Sequence, residues 1–491
     1  MERFAVESHH GKVKATHRYE VMDTPSSSMQ LVGKKIHFIG IGGIGMSGLA
    51  QILMKNRAKV SGSDQAAGLL VARLQELGAD VRVGHRAENV PQDADAVVIT
   101  AAIKPDNPEL VRARQQGCAV YKYAQMLGQL MSRYQGVAVS GTHGKSTTSG
   151  WLSFLLRRAG MDASFIVGAV VSQLGSSSGV GESPYFVAEA CEYDRSFLSL
   201  RPTIAAVLNI EADHLDYYND EVEIVQAFGQ FVGGVAFEGA VVANGQDPNV
   251  TEVIRSLRPD VECLTFGWDQ SYSYSAQDLQ LVDGLYRFNV YGNGQLLGPA
   301  RISLPGRHNV LNALAVVAMA MRVGVPVKAI LELLPEFAGV DRRLTLRGRV
   351  GRVTVLDDYA HHPTEIRASL AAIRERYKPD RLWCVFQPHQ YSRTRFLLED
   401  FAESFKLADV TIVPEIYFVR DSQENRKTVN AQVLVDRLLD HGSEAWFIDG
   451  FDAICDYLKA HVTDGDVVVT MGAGDVWKVA DACIQRIGQD R

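Results

Sequence analysis

Residues 137–148 read VAVSGTHGKSTT. An apolar run ends in a Gly-flanked turn, and Lys145, Ser146, Thr147 and Thr148 follow it directly. That order predicts a strand, a loop with inward-pointing backbone N–H groups, and a helix N-terminus. Such a loop cradles phosphate: Lys145 neutralises β- and γ-phosphate charge, and Ser146 offers its hydroxyl to Mg²⁺. The strict pattern places a Gly five residues before the Gly-Lys pair, where Val139 stands instead. The expectation is a triphosphate loop of a shortened kind, contacting nucleotide through Gly141, Thr142, His143, Gly144, Lys145, Ser146 and Thr147. The bland alternative is an ordinary Gly turn with a surface lysine.

A second glycine loop lies upstream. Residues 34–50, KKIHFIGIGGIGMSGLA, hold Gly40-x-Gly42-x-x-Gly45 between an apolar strand and a helix expected over 46–56. Gly40 suits a tight turn, Gly42 lets backbone approach a diphosphate, and Gly45 allows close helix–strand packing. Asp64 ends the next strand, AKVSGSD, 19 residues after Gly45, where an acid reads a ribose or base. Taken alone, this pattern favours NAD. An NAD oxidoreductase, however, uses only the first loop, and a simple NTPase only the second. A chain with both spends a triphosphate on something that itself carries a nucleotide or diphosphate.

Outward from these loops, apolar strands alternate with helical segments, which implies parallel α/β architecture. The first part shows four strands, KKIHFIG, AKVSGSD, ADAVVIT and CAVYKY. In the centre, LPGRHNVLNALAVVAMAMRVG predicts a turn and a helix stopped at Gly324, and the polar stretch 270–300 suggests a β-meander. A third series opens at GRVTVLDDYAHHPTEI and continues through RLWCVFQPHQ, DVTIVPEI and DGDVVVTMGAGD. The 491 residues suggest about three domains at ~150 residues each. The expected division is a flexible arm over 1–30, a Rossmann-like domain over 31–135, a P-loop ATPase domain with a parallel sheet over 136–338, and a Rossmann-like domain over 339–491.

Acids cluster at strand ends. YFVAEACEYDRSF ends a strand in Glu189, with Glu192 and Asp194 following, and VLNIEADHLDYYND brings Glu211, Asp213, His214 and Asp216. The carboxyl ends of parallel strands are where α/β proteins bind ligands. A Mg²⁺ held by Ser146, Glu189 and His214 is the expectation, with His214 the less typical ligand. In the third series, Asp357 and Asp358 lead into Tyr359, His361 and His362; the alternative there is helix capping by Thr364 or Asp358. His389, Arg393 and Arg395 follow another buried strand, and Arg suits a bidentate grip on carboxylate.

The net charge of −7 argues against a general nucleic-acid binder. No signal-type apolar segment opens the chain, and the apolar stretch 313–321 is too short to cross a bilayer. The 6 Cys are scattered without a CxxC pair, which predicts reduced, mostly buried thiols in a cytoplasmic protein.

With these motifs assembled, the chain resembles the ATP-dependent Mur ligases of peptidoglycan synthesis. GIGGIGMSGLA, SGTHGKSTT, EACEYDRSF, NIEADHLDYY, PGRHNVLNA, GVDRRL, DDYAHHPTE, FQPHQYSRTR and TMGAGD carry the resemblance in order over residues 33–475. It implies that Gly40, Gly42, Gly43, Gly45 and Asp64 serve a uridine diphosphate sugar rather than NAD. It implies catalytic roles for Lys145, Glu189, His214, Asn309, Asn312, Arg343 and Asp358. ATP contacts are extended to Asn309, Arg343 and Asp358, and an amino-acid site falls on Tyr359, His361 and Arg393. ATP and Mg²⁺ are the implied cofactors. UDP-N-acetylmuramate and L-alanine are the implied substrates of the branch resembled, with no nucleic-acid or membrane partner and a monomer or homodimer as the assembly. Relatives adding later amino acids use a carbamylated lysine on the helix after the metal-site histidine; EVEIVQAFGQFV here contains none. Many relatives carry Arg where Gln390 stands, which removes one cation from the amino-acid end. Competing readings are a recycling ligase that attaches a ready-made tripeptide, an NAD oxidoreductase, and a non-catalytic sugar-nucleotide-binding regulator.

Overall fold

The computed structural model describes residues 31–419, 421 and 423–488. The arm expected over 1–30 lies outside the described residues. The apolar runs separated by glycine turns become three sheets. The first contains β1 (Lys35–Ile39), β2 (Lys59–Asp64), β3 (Asp80–Val83), β4 (Ala96–Ile99) and β5 (Ala119–Lys122). All pair in parallel in the order β3-β2-β1-β4-β5. One strand exceeds expectation: β3 is a four-residue edge strand with only Val81 buried, too short and polar to stand out. The helix after β1 spans Ile44–Lys55, two residues earlier than expected. Gly40 turns with φ +83°, as its place in the loop requires. Gly45 differs from expectation. A Cβ there would lie 2.9 Å from the Tyr123 ring, so its close partner is that side chain rather than the strand.

The second sheet holds β6 (Gln135–Ser140), β7 (Ser164–Val171), β8 (Ser176–Gly179), β9 (Tyr185–Glu189), β10 (Ile204–Val207), β11 (Ala240–Asn244) and β12 (Glu262–Gly267). It continues through β13 (Tyr274–Val282), β14 (Leu285–Gly292) and β15 (Gln295–Arg301). Its order is β15-β14-β13-β12-β11-β10-β6-β9-β7-β8. The strand of the opening stretch, β6, lies between β10 and β9, parallel to both and buried from Gly136 on. Such burial on both faces explains its continuous apolar run. The expected meander is present as antiparallel β13, β14 and β15. The helix His308–Val323 is buried nearly all round and stops at Gly324, φ +99°, as read from sequence. Trp151, fully buried on the helix Lys145–Arg158, stacks on Phe337 at 5.2 Å.

The third sheet contains β16 (Thr345–Val350), β17 (Val353–Asp358), β18 (Leu382–Phe386), β19 (Val410–Val413), β20 (Ala445–Phe447) and β21 (Val467–Met471), ordered β16-β17-β21-β18-β19-β20. The unexpected members, β16 and β20, are both edges. The helix Pro363–Tyr377 is capped by His362, which accepts from the Thr364 amide at 3.4 Å, so neither Thr364 nor Asp358 is the cap. The second and third units also meet away from the cleft: Tyr286 donates to Glu375 at 3.0 Å, beside the β13–β14 turn. Three of the six cysteines are buried, Cys384, Cys455 and Cys483, fewer than expected, and all six are free thiols. Among the described residues no helix is long and apolar enough to cross a membrane.

Two glycines give opposite expectations. Gly128 lies on the helix Tyr123–Met131, and a Cβ would sit 2.1 Å from the Ser199 carbonyl oxygen. Gly128→Ala should therefore destabilise the chain, by about 1–3 kcal/mol for such overpacking. Gly229 lies inside the helix Glu221–Gly233 with open space at its Cβ position. Gly229→Ala should stabilise it by about 0.5–1 kcal/mol through helix propensity. Thermal unfolding of both variants checks the pair; a Gly128→Ala protein as stable as its parent would refute the packing.

Candidate active site

The loop after β6 opens with Gly141 at φ +141° and closes with Gly144 at φ +83°. A Cβ on Gly144 would approach Asn312 Oδ1 to 2.9 Å, so glycine is needed for conformation and for space. Asn209 fixes the loop by accepting from the His143 amide at 2.7 Å. At the helix start, Lys145 Nζ donates to the Thr142 carbonyl at 3.0 Å and pairs with Glu192 at 2.9 Å. Burial disfavours its charge, but Glu192 more than restores it, so the ammonium is held above its usual range. Ser146 Oγ donates to Glu189 Oε2 at 2.8 Å, and the Gly168 amide donates to the same oxygen at 2.7 Å. Of the three expected metal ligands, Ser146 and Glu189 touch directly. His214 instead faces Glu192, the acid paired with Lys145, whose Oε1 lies 3.6 Å from its Nε2.

The third sheet supplies the facing wall. Arg343 Nη1 bonds Glu365 at 3.1 Å, and Asp358, at the end of β17, accepts from the Leu344 and Ala360 amides and from Ser369. Burial raises the Asp358 carboxyl to about 6. Tyr359 lies under Arg342 and Arg343, whose guanidinium carbons are 5.0 and 5.3 Å from its ring centre, and His361 meets its edge at 5.3 Å. Asn309 and Asn312, three residues apart on one helix, bond each other at 3.0 Å. Between the two walls lies a cavity of about 440 Å³, lined by Gly144, Thr147, Asn309 and Asn312 on one side and by Arg343 and Asp358 on the other.

Charge stitches the walls together. His143 lies 3.3 Å from both Glu211 and Glu365. Burial opposes its protonation, but the bonds to these two acids raise it to about 9, while Glu211 falls to about 2. Thr364 also donates to Glu211, at 2.7 Å. Arg393, expected at the amino-acid end, is paired with buried Asp213 at 2.7 Å and lies 3.4 Å from His389. Gln390 is buried in left-handed backbone, φ +69°, with its amide bonded to the Tyr417 carbonyl. His143, Glu211 and His362 bring metal-type donor atoms within 4.8 Å of one another. Glu211 joins the two rings, 3.3 Å from His143 and 3.7 Å from His362.

In the first unit, Asp64 accepts from the Gly42 amide at 2.8 Å, and a Cβ on Gly42 would lie 2.9 Å from the same carboxylate. The expected acid and glycine are thus in contact. Sequence reasoning passed over Glu365 and gave Glu192 no separate role. Glu365 is the third residue of the helix that His362 caps, where an acid is ordinary, so no local signal singled it out.

A phosphate-type loop, hard oxygen donors and cations from a second wall around one cavity are the parts of an enzyme that acts on a nucleotide's phosphates. Models of the Mur ligase catalytic, middle and glutamate ligase domains match residues 35–135, 139–320 and 342–474. The chain belongs to the Mur ligase family. It is 43% identical over 91% of its length to the UDP-N-acetylmuramate–L-alanine ligase of Alkaliphilus metalliredigens, covering 96% of that protein. Among solved structures it is similar to the UDP-N-acetylmuramate-alanine ligase of Thermotoga maritima, with TM-score 0.77, 29% identity, and 93% and 100% of the two chains covered. A murein peptide ligase from Psychrobacter arcticus aligns with TM-score 0.67 and 26% identity, covering 93% and 99%.

The His143 tie has a pH signature. Its pKa is raised on folding, so its stabilisation is complete below the unfolded value near 6.5 and is lost as pH rises through about 9. His143→Gln is expected to lower the unfolding temperature more at about pH 6 than at about pH 10. Calorimetry at both values measures this, and an equal loss at the two would refute the tie.

Proposed function

We propose that this chain is an ATP-dependent ligase that joins L-alanine to the lactyl carboxylate of UDP-N-acetylmuramate. Its products are UDP-N-acetylmuramoyl-L-alanine, ADP and phosphate, in the synthesis of peptidoglycan precursors. The observation that carries this is the 43% identity over nearly the whole chain to an enzyme named for the reaction. Against a tripeptide-recycling ligase stands the better structural match to the alanine ligase, TM-score 0.77 against 0.67 for the murein peptide ligase of Psychrobacter arcticus. An NAD oxidoreductase would leave the second loop and its facing wall without work. A non-catalytic binder has no use for Lys145, Glu189 and His214 together.

In this reading residues 31–135 hold the sugar nucleotide through Gly40, Gly42, Gly43, Gly45 and Asp64. Residues 136–338 hold ATP through the 141–147 loop and Asn309, and residues 339–491 close over it with Arg343 and Asp358. Ser146 and Glu189 offer the hard oxygens that Mg²⁺ prefers, with His214 beside them. Mg²⁺ bound there adds positive charge where the phosphoryl group transfers. Arg393, Tyr359 and His361 receive alanine. ATP supply places the reaction in the cytoplasm, and the chain works as a monomer or homodimer.

A carboxylate is a poor acceptor for an amine. Attack of its oxygen on the γ-phosphorus expels ADP and leaves an acyl phosphate with a good leaving group. Lys145 stabilises the charge spreading over that phosphoryl group. The alanine ammonium first gives up a proton; its nitrogen then attacks the acyl carbon, phosphate departs, and the new amide nitrogen sheds a second proton. His361 is the candidate acceptor, with Nδ1 held 3.2 Å from Glu365.

Phosphate release with ATP and Mg²⁺, omitting one substrate at a time, tests the assignment. Release should require both UDP-N-acetylmuramate and L-alanine; release that needs the tripeptide would transfer the assignment to the recycling enzyme. Lys145→Met should lower turnover by about 10²–10³ with the fold intact, as for loss of one preorganised cationic donor.

A further inference from the structure

Glu109 is a fully buried acid outside the cleft, and no step above uses it. It is the second residue of the helix Pro108–Gln115, and its side chain is 0% exposed. Four donors converge on its two oxygens. Oε1 accepts from the Arg86 amide at 3.0 Å and from Asn89 Nδ2 at 2.7 Å. Oε2 accepts from Ser63 Oγ at 2.7 Å and meets His37 Nε2 at 3.0 Å. Burial pushes the carboxyl up, yet His37, Ser63, Asn89 and Arg86 together hold it below its usual value, so the group stays ionised. The remaining neighbours are polar as well: His37 Nδ1 bonds Ser61, and His85 Nδ1 bonds Ser63 Oγ, each at 2.9 Å.

Ser63 is the residue through which this acid touches the glycine loop. Its side chain bonds Glu109, while its carbonyl accepts from both the Gly40 amide at 2.8 Å and the Ile41 amide at 3.0 Å. The next residue, Asp64, accepts from the Gly42 amide. Three successive loop amides are therefore held by two residues at the end of β2, and the first of those residues is pinned by Glu109. A buried charge is a costly way to fill a core, because an apolar side chain of similar size stabilises as well or better. What an ionised, four-donor acid provides is a fixed position.

We propose that Glu109 is a positioning residue for the sugar-nucleotide loop, acting through Ser63 on the amides of Gly40 and Ile41. This rests on the reading of the 40–45 loop as the sugar-nucleotide site. Ser63→Ala removes the link and leaves Glu109 its other three donors. Glu109→Gln offers one acceptor oxygen where two received four bonds.

The experiment measures KM for each substrate, kcat and the unfolding temperature for Ser63→Ala, Glu109→Gln, the double variant and Gly42→Ala. Ser63→Ala and Glu109→Gln should each raise KM for UDP-N-acetylmuramate about tenfold, the effect of one lost charge-assisted hydrogen bond. KM for ATP and L-alanine and kcat should stay at the parent's values, and the double variant should be no worse than the singles. A rise in all three KM values together with a lower unfolding temperature would mean the network supports the domain only, and would overturn the proposal. So would an unchanged sugar-nucleotide KM in both single variants while Gly42→Ala raises it. An unchanged KM in Gly42→Ala would instead overturn the assignment of the loop itself.

Discussion

The cleft depends on the buried carboxylate of Glu365. His143 of the second unit's phosphate loop, Arg343 and His361 all face it at 3.1–3.3 Å. Burial alone would protonate the acid; His361 and Arg343 keep it ionised, well below the usual range. Removing it would leave His143 and Arg343 without their shared partner, so one carboxylate helps to hold the two walls together. Glu211 and Asp213 repeat the device from the other side, reaching Thr364 and Arg393 across the interface. Each pair joins an acid of one wall to a donor of the other. The groups proposed to meet charged substrates therefore also hold the walls in register.

Part of the backbone strain among the described residues lies on segments near the cleft. Asp194, Arg195, His214, Arg342, Leu344 and Gln390 all adopt left-handed conformations without being glycine. Such positions cost about 1–3 kcal/mol each and persist where the surroundings over-determine them. The surroundings are visible here. The His214 amide bonds Asp213, the Leu344 amide bonds Asp358, and the Gln390 amide bonds the Tyr417 carbonyl. Arg342 is tied to Asp357 and to the Gly472 carbonyl. The strain lies on segments that follow or precede strand ends, where side chains must turn out of the sheet toward the cavity.

How much of this was legible in sequence follows from what each feature needs. The two glycine loops were, because conformation and close approach demand glycine at fixed spacings: Gly40, Gly42 and Gly144 all meet those demands. Central strands such as β6, β17 and β21 were, because burial on both faces writes an unbroken apolar run such as VAVS; β7 and β12, though interior, were not singled out. The edge strands β3, β16 and β20 were not, because an edge is half wet and short. Gly45 was half legible: the need for a small residue was clear, but its partner, Tyr123, is 78 residues away and leaves no local mark. Glu365 and Glu109 were not, for the same reason. An acid two or three residues into a helix reads as an ordinary favourable interaction with the helix dipole. Only the fold reveals that Glu109 is buried and Glu365 is drawn among His143, Arg343 and His361.

That distinction explains why the chain uses acids so differently at its two loops. At the phosphate loop of the second unit, Glu192 and Glu189 stand against Lys145 and Ser146, on the very groups that a phosphate and its metal would engage. Those acids must be exchangeable partners, and a lysine held charged by one of them is ready for a phosphate. At the first loop the acid Asp64 and the Ser63 carbonyl hold backbone amides. Here the loop's shape, rather than a mobile cation, is what binding requires. A triphosphate that is consumed calls for charges able to change partners during the reaction, whereas a diphosphate that only anchors its sugar calls for a cradle that does not move. Both glycine loops join a strand to a helix, and in the proposed reading the acids around the one serve reaction and those around the other serve grip.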